Sequence, residues 1–322
     1  MTLGGLASAS VSALDSRGTF LLSSFGGSVR HTFLCVAFAV CTVAAHVSAQ
    51  DDGGFSGGRG GSGLPTDINL PRTIPQQFSI KLKLDRTQQP DVDKILTAAN
   101  TEAAPSTQEM LQARQRLLNA LRGNRAEEAK AAEEAYATAA AKGARVEAAA
   151  FGKVYALLKP NQHKDAPAAF ALLAGLFANT PAPGARGGPG GGRGGAFPFS
   201  RFELLVENFK LEGDKKKAVK TAVDDAHKSA AAVREALLAG HAALGVAVAG
   251  GAAEAIESAV RAYATQAAAM AHIEMDALSR VIGIADPELQ NPPAVQAAFY
   301  MARGMFLRGK WDEIPDRNQP SY

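Results

Sequence analysis

The chain has 322 residues, 34 Lys+Arg against 31 Asp+Glu and a formal net charge of +3. That length suits about two domains, and the near balance of charge excludes a nucleic-acid binder that works through overall basicity. Aromatic residues make up 7%, with Trp311 the single tryptophan, so stacking platforms for bases or sugars are scarce.

The first element is an address. An apolar run, Thr32 to Ala45, follows Arg30 and His31, and Val47-Ser48-Ala49 precedes Gln50 with small residues at signal-peptidase spacing. This pattern predicts a signal peptide over residues 1–49. The apolar run is shorter than the roughly 20 residues a bilayer span needs. The polar stretch before Val29 makes a long n-region, which a true start near residue 29 would explain. The two cysteines, Cys35 and Cys41, leave with the peptide, and the bulky Val40 before Cys41 argues against a lipid-attachment site. The mature chain is therefore expected to be exported, free of disulfides and not stably inserted in the membrane.

Composition then divides the chain into a Gly-rich segment 50–76, a helical region 77–178, a Gly/Pro/Arg-rich linker 179–199, a second helical region 200–308 and a tail 309–322. The two helical regions are similar. At a shift of 127, Lys83-Leu84 falls on Lys210-Leu211, Leu117 on Leu244, Ala135-Tyr136-Ala137-Thr138 on Ala262-Tyr263-Ala264-Thr265, and Glu147 on Glu274. After two inserted residues, Phe170, Gly175 and Phe177 meet Phe299, Gly304 and Phe306. An ordered series of Tyr, Gly and Phe matches in one register indicates a tandem duplication of a domain-sized unit.

Alanine runs and few β-branched residues predict helices throughout. In the first unit the expected helices are Gln88 to Ala99, Ser106 to Gly123 with Ser106 and Glu109 as a capping box, Asn124 to Leu158 with Asn124 as cap, and Pro167 to Phe177. Asp85 with Gln88 is a second candidate box; the alternative is a later start with Pro90 in the first turn. The second unit repeats this order, with Asp286-Pro287 as cap and first turn. The fold class is all-α, built of two four-helix hairpin units that pack as an intrachain pseudo-dimer.

On the long helix, 100° per residue puts Glu147 about 20° from Tyr136 and Val154, within the apolar stripe. Glu274 has the same place beside Tyr263 and Val281. A carboxylate there is paired, neutralised or wet. Three readings stand: an internal ion pair with an arginine of the preceding helix, part of an open concave surface, or a metal-binding carboxylate pair. Tyr136, Glu147, Tyr263 and Glu274 are thus the candidate concave-face or ion-pair positions.

Enzyme chemistry has no foothold. Without mature cysteines there is no thiol catalysis or thiolate zinc. His163, His227, His241 and His272 form no His-Glu-x-x-His or Glu-x-x-His pattern, and no Walker, Gly-x-Ser-x-Gly or dinucleotide motif occurs in context. Asp224 and His227 share a helix face, and Lys215-Lys216-Lys217 reads as a solvated face. No catalytic residue, cofactor or metal site is expected.

Two short motifs carry a resemblance. Leu84-Asp85-Arg86-Thr87-Gln88 and Leu158-Lys159-Pro160-Asn161-Gln162 keep Leu and Gln at the spacing of Leu-Thr-x-x-Gln, a leucine before a capping box. With the order of helices and the export signal, the chain resembles the Spy/CpxP-like periplasmic proteins, in which this motif occurs twice per domain. Asp85 and Lys159 stand where the family has Thr, and the second unit keeps only Leu211…Lys215 and Ala285-Asp286-Pro287-Glu288-Leu289. The resemblance implies an ATP-independent chaperone or envelope-stress protein, whose partners are unfolded or misfolded envelope proteins and not nucleic acid. Its motif residues here are Leu84, Gln88, Leu158 and Gln162. The competing expectations are a metal-responsive sensor or metal-binding protein, and a structural envelope protein without activity.

Overall fold

The computed structural model describes residues 74–173, 175, 200–307 and 311–312. The predicted signal peptide 1–49, the Gly-rich segment up to residue 73, Phe177, the linker 179–199 and most of the tail lie outside the described residues. The chain divides into two units, 1–63 and 64–322, and every described residue belongs to the second.

That unit is all-α, with no strand among the described residues. Its helices are α1 (Ile74–Lys81), α2 (Gln89–Arg122), α3 (Ala126–Leu157), α4 (Ala166–Leu173), α5 (Arg201–Phe209), α6 (Gly213–Ser229), α7 (Ala231–Gly250), α8 (Ala253–Ala285) and α9 (Pro292–Met301). One 3-10 turn, His163–Asp165, leads into α4. Three helices are long: α2 has 34 residues, α3 has 32 and α8 has 33.

The expected break before Ser106 does not occur. Gln89 to Arg122 is one helix with Pro105 inside it. Ser106 is not a cap; its hydroxyl donates to the Ala103 carbonyl at 2.8 Å, and Thr107 donates to the same oxygen at 3.2 Å. Proline removes one backbone donor, and packing along the whole of α3 and against α8 outweighs that local loss. At the same register of the second half, Ala230 does separate two helices, α6 and α7, although its backbone stays right-handed helical.

Asn124 also plays another part than predicted. It is not the cap of α3 but the left-handed residue that ends α2, at φ 53°. Its N–H donates to Leu121 and that of Arg125 to Ala120, which satisfies the last carbonyls of α2 in the Schellman pattern. Lys83 and Lys210 end α1 and α5 the same way, at φ 52° and 50°. Asp286-Pro287 does not open a helix either. The Asp286 carboxylate accepts the N–H groups of Gln290 and Asn291, both at 2.8 Å, and α9 begins at Pro292 behind Asn291 as its cap.

Among the described residues the core has two large clusters, each drawing on both sides of the 174–199 segment, and a small third one, Ala99, Ala103 and Ala150, within the first half. The first joins Phe78, Leu96, Phe151, Val154 and Phe170 to Leu244, Val248 and Val260. The second joins Val219, Val223, Leu278, Ile282, Phe299 and Phe306 to Leu117, Leu118 and Ala132. The tip of each helical hairpin is thus buried in the base of the other. Close approach makes this docking specific: a Cβ on Gly245 of α7 would lie 2.5 Å from the Pro167 carbonyl of α4, so only glycine admits the short helix there.

Candidate functional site

The motif residues form a tertiary clasp. Gln88 and Gln162, 9% and 4% exposed, bond each other reciprocally: Gln88 Nε2 donates to Gln162 Oε1 at 2.9 Å, and Gln162 Nε2 donates to Gln88 Oε1 at 3.0 Å. Each amide also reaches backbone across the fold. Gln88 donates to Leu157 at 2.8 Å, and Gln162 donates to Leu82 and Lys83 at 3.0 and 2.9 Å. The box at Asp85 forms, since Asp85 Oδ1 accepts from Gln88 N at 2.9 Å and Gln88 Oε1 accepts from Asp85 N at 3.2 Å. α2 itself begins at Gln89 with Pro90 as its second residue, the later of the two starts that the sequence offered, and the box at Asp85 precedes it.

Leu84 packs partly buried against the first core and Leu158 is buried. The two residues standing in place of Thr are paired with each other, Lys159 Nζ to Asp85 Oδ2 at 2.7 Å. Lys159, then the Thr87 hydroxyl and the Gln88 N–H, hold the Asp85 carboxyl well below the ordinary range. Leu84, Gln88, Leu158 and Gln162 tie α1, α2 and the α3–α4 connection together. Because each buried amide satisfies the other, Gln88→Ala and Gln162→Ala should each destabilise by about 1–3 kcal/mol. The double variant should cost less than the sum, by about 0.5–3 kcal/mol. A urea-unfolding double-mutant cycle measures this, and strict additivity would contradict the clasp.

A second constellation crosses between the halves. Arg114 of α2 and Glu274 of α8 are 3% and 2% exposed and meet at 2.7 Å between Nη1 and Oε2. Burial opposes the Arg114 charge, but Glu274 and the Tyr136 hydroxyl outweigh it and raise its pKa. Tyr136 is half-buried, and burial pushes its hydroxyl up, against the pull of Arg114. Arg303 stands nearby; burial, then the Arg114 charge, lowers its pKa. Arg114 Nε and Nη2 and Glu274 Oε1 make no hydrogen bond.

At the matching place in the other half, Glu147 of α3 is 2% exposed and its Oε2 accepts the Gly175 N–H at 2.9 Å. Tyr263 is buried, and burial followed by the Glu147 charge drives its hydroxyl well up. His241 of α7 lies against Tyr263 with ring centroids 4.7 Å apart. A cleft with room for about one water is lined by Ser106, Met110, Gly143, Glu147, Gly175 and Tyr263.

The four predicted positions therefore lie in two junctions, Tyr136 with Glu274 and Glu147 with Tyr263. The sequence placed none of Arg114, His241, Gly175 and Arg303 at these junctions, although Gly175 is one of the duplication matches. The signal was available for two of them, since a shift of 127 carries Arg114 onto His241. Asp224 and His227 turn to other partners, Asp224 to Trp311 Nε1 and Lys220, His227 to Arg234. Among the described residues no group of three or more His, Cys, Asp or Glu could hold a metal ion. No family model, curated protein or solved structure matches this chain.

Proposed function

We propose that the chain is an exported, ATP-independent chaperone-like protein that binds unfolded or misfolded envelope proteins. It is built as two tandem four-helix units packed as an intrachain pseudo-dimer. The observation that carries client binding is the outer face of α7. Leu238 and Val246 are 51% and 61% exposed there, beside exposed Ala239, Ala242 and Ala243. From Ala236 to Gly250 the helix has no Asp, Glu, Lys or Arg. The same register of α2 is polar and exposed, with Gln112, Gln115, Arg116 and Asn119. An uncharged apolar face on one half alone suits weak, adaptable capture of apolar segments. Among the described residues α7 is also the helix long and apolar enough to cross a membrane, and it packs instead on α4 and α8.

The duplication draws support from the backbone as well as the side chains. Left-handed residues recur in register at Lys83 and Lys210, at Asn124 and Gly251, and at Gly175 and Gly304. The reciprocal cores support the pseudo-twofold reading. Export rests on the N-terminal sequence. The protein is expected to keep reduced, unfolding α-lactalbumin in solution without ATP, read by light scattering. Ala242→Glu with Val246→Glu should abolish most of that effect, while Gln115→Glu with Asn119→Glu on α2 should retain it. Both pairs are exposed and change stability little. Scattering unaffected by the protein, or full activity in the α7 pair, would overturn the reading.

A further inference from the structure

Two junctions at one register differ in their cations. Arg114 closes the first with a permanent charge on Glu274, whereas the second has His241 in the same place. His241 is 7% exposed and its Nε2 makes no hydrogen bond. The Gly175 turn at the end of α4 lies over the ring: a Cβ on Gly175 would stand 3.5 Å from Nε2 and 3.1 Å from the Tyr263 hydroxyl. The ionisable groups around it are few. Tyr263 faces it from α8 and Glu147 belongs to the same junction from α3, held by the Gly175 N–H. The α4 sequence, Ala166–Leu173, contains no ionisable residue. On α7 itself Arg234 and Glu235 lie toward the N-terminus, where Arg234 bonds His227 of α6.

We propose that His241 is a pH-operated latch: taking up a proton lifts the Gly175 turn and α4 off α7 and opens the junction between the halves in mildly acidic medium. An imidazolium whose Nε2–H meets no acceptor does not stay buried. The turn above it is what can give way, because α4 has only eight residues. Burial holds His241 down at about 4 in the closed form, against an ordinary value near 6.5. The open form thus binds the proton first. Closure is at full strength above pH ~6.5 and weakens as pH falls toward ~4, by at most about 300-fold in the open-to-closed ratio. The latch does not depend on whether clients bind.

Hydrogen–deuterium exchange on the whole protein tests it, between pH 7.5 and 4.5 and corrected for intrinsic rates. Protection of the α4 amides is expected to fall as pH drops, by up to about 70-fold at pH 4.5, while Trp311 emission stays constant and reports the intact remainder. His241→Gln should flatten the pH dependence and Glu147→Gln should keep it. Constant α4 protection in the unmodified protein, or an equal fall in His241→Gln, would overturn the proposal. If His241→Gln is unfolded at pH 7.5, the ring-proton resonances of His241 in the unmodified protein decide. A titration that coincides with α4 opening supports the latch, and one independent of it sinks the idea.

Discussion

Arg114→Met should destabilise the protein by about 3–5 kcal/mol, read from the urea midpoint at constant slope. The reason lies in what remains. Glu274 would keep a carboxylate at 2% exposure, with its Oε1 already lacking a hydrogen-bond partner and its ion-pair partner removed, leaving Arg303 as a nearby charge. The pair itself is not a source of net stability, since desolvating both ions costs about as much as their attraction returns. Arg114→Met with Glu274→Leu should therefore recover most of the loss, and a gain over the unmodified protein is within the known range for such replacements. A single variant within about 1 kcal/mol of the parent would mean that Glu274 finds water or another cation. What the pair supplies is register: it can form only when α2 of one half and α8 of the other are correctly aligned.

The second large effect is expected at Phe151. Its ring is fully buried between Phe170, 4.7 Å away and nearly parallel, and Phe78 at 6.1 Å. Phe151→Ala removes both ring contacts and leaves a cavity that helix backbones cannot collapse to fill, at a cost of about 3–5 kcal/mol. Phe151→Leu should cost clearly less, because Leu278 fills the same register of the second half at 2% exposure. Urea unfolding of the two variants measures the difference. Equal losses would show that ring stacking, rather than filled volume, sets the energy of this cluster.

Helical class was legible because alanine runs and the apolar period act locally, residue by residue. The errors came where a local rule met a tertiary one. Pro105 normally ends a helix, yet α2 runs through it because α3 and α8 pack along both sides. Asn124 is a good cap and also a good left-handed residue, and the carbonyls at the end of α2 claimed it for the second role. Glu147 and Glu274 were legible as misplaced carboxylates from periodicity alone. Their partners were not, because Arg114 lies 160 residues from Glu274 and only the fold brings them together. His241 could be found solely by laying one half over the other.

The docking of α4 on α7 has a consequence for synthesis. Leu173 leaves the ribosome long before Ala231, where α7 begins. At roughly 5–20 residues per second, that interval lasts about 3–12 s. Throughout it α4, an uncharged stretch that includes Phe170 and Leu173, lacks its α7 partner, although Phe170 already has Phe78 and Phe151 of the first half to stack on. A product truncated between these helices would leave the α7-facing side of α4 uncovered and should be prone to aggregate through it.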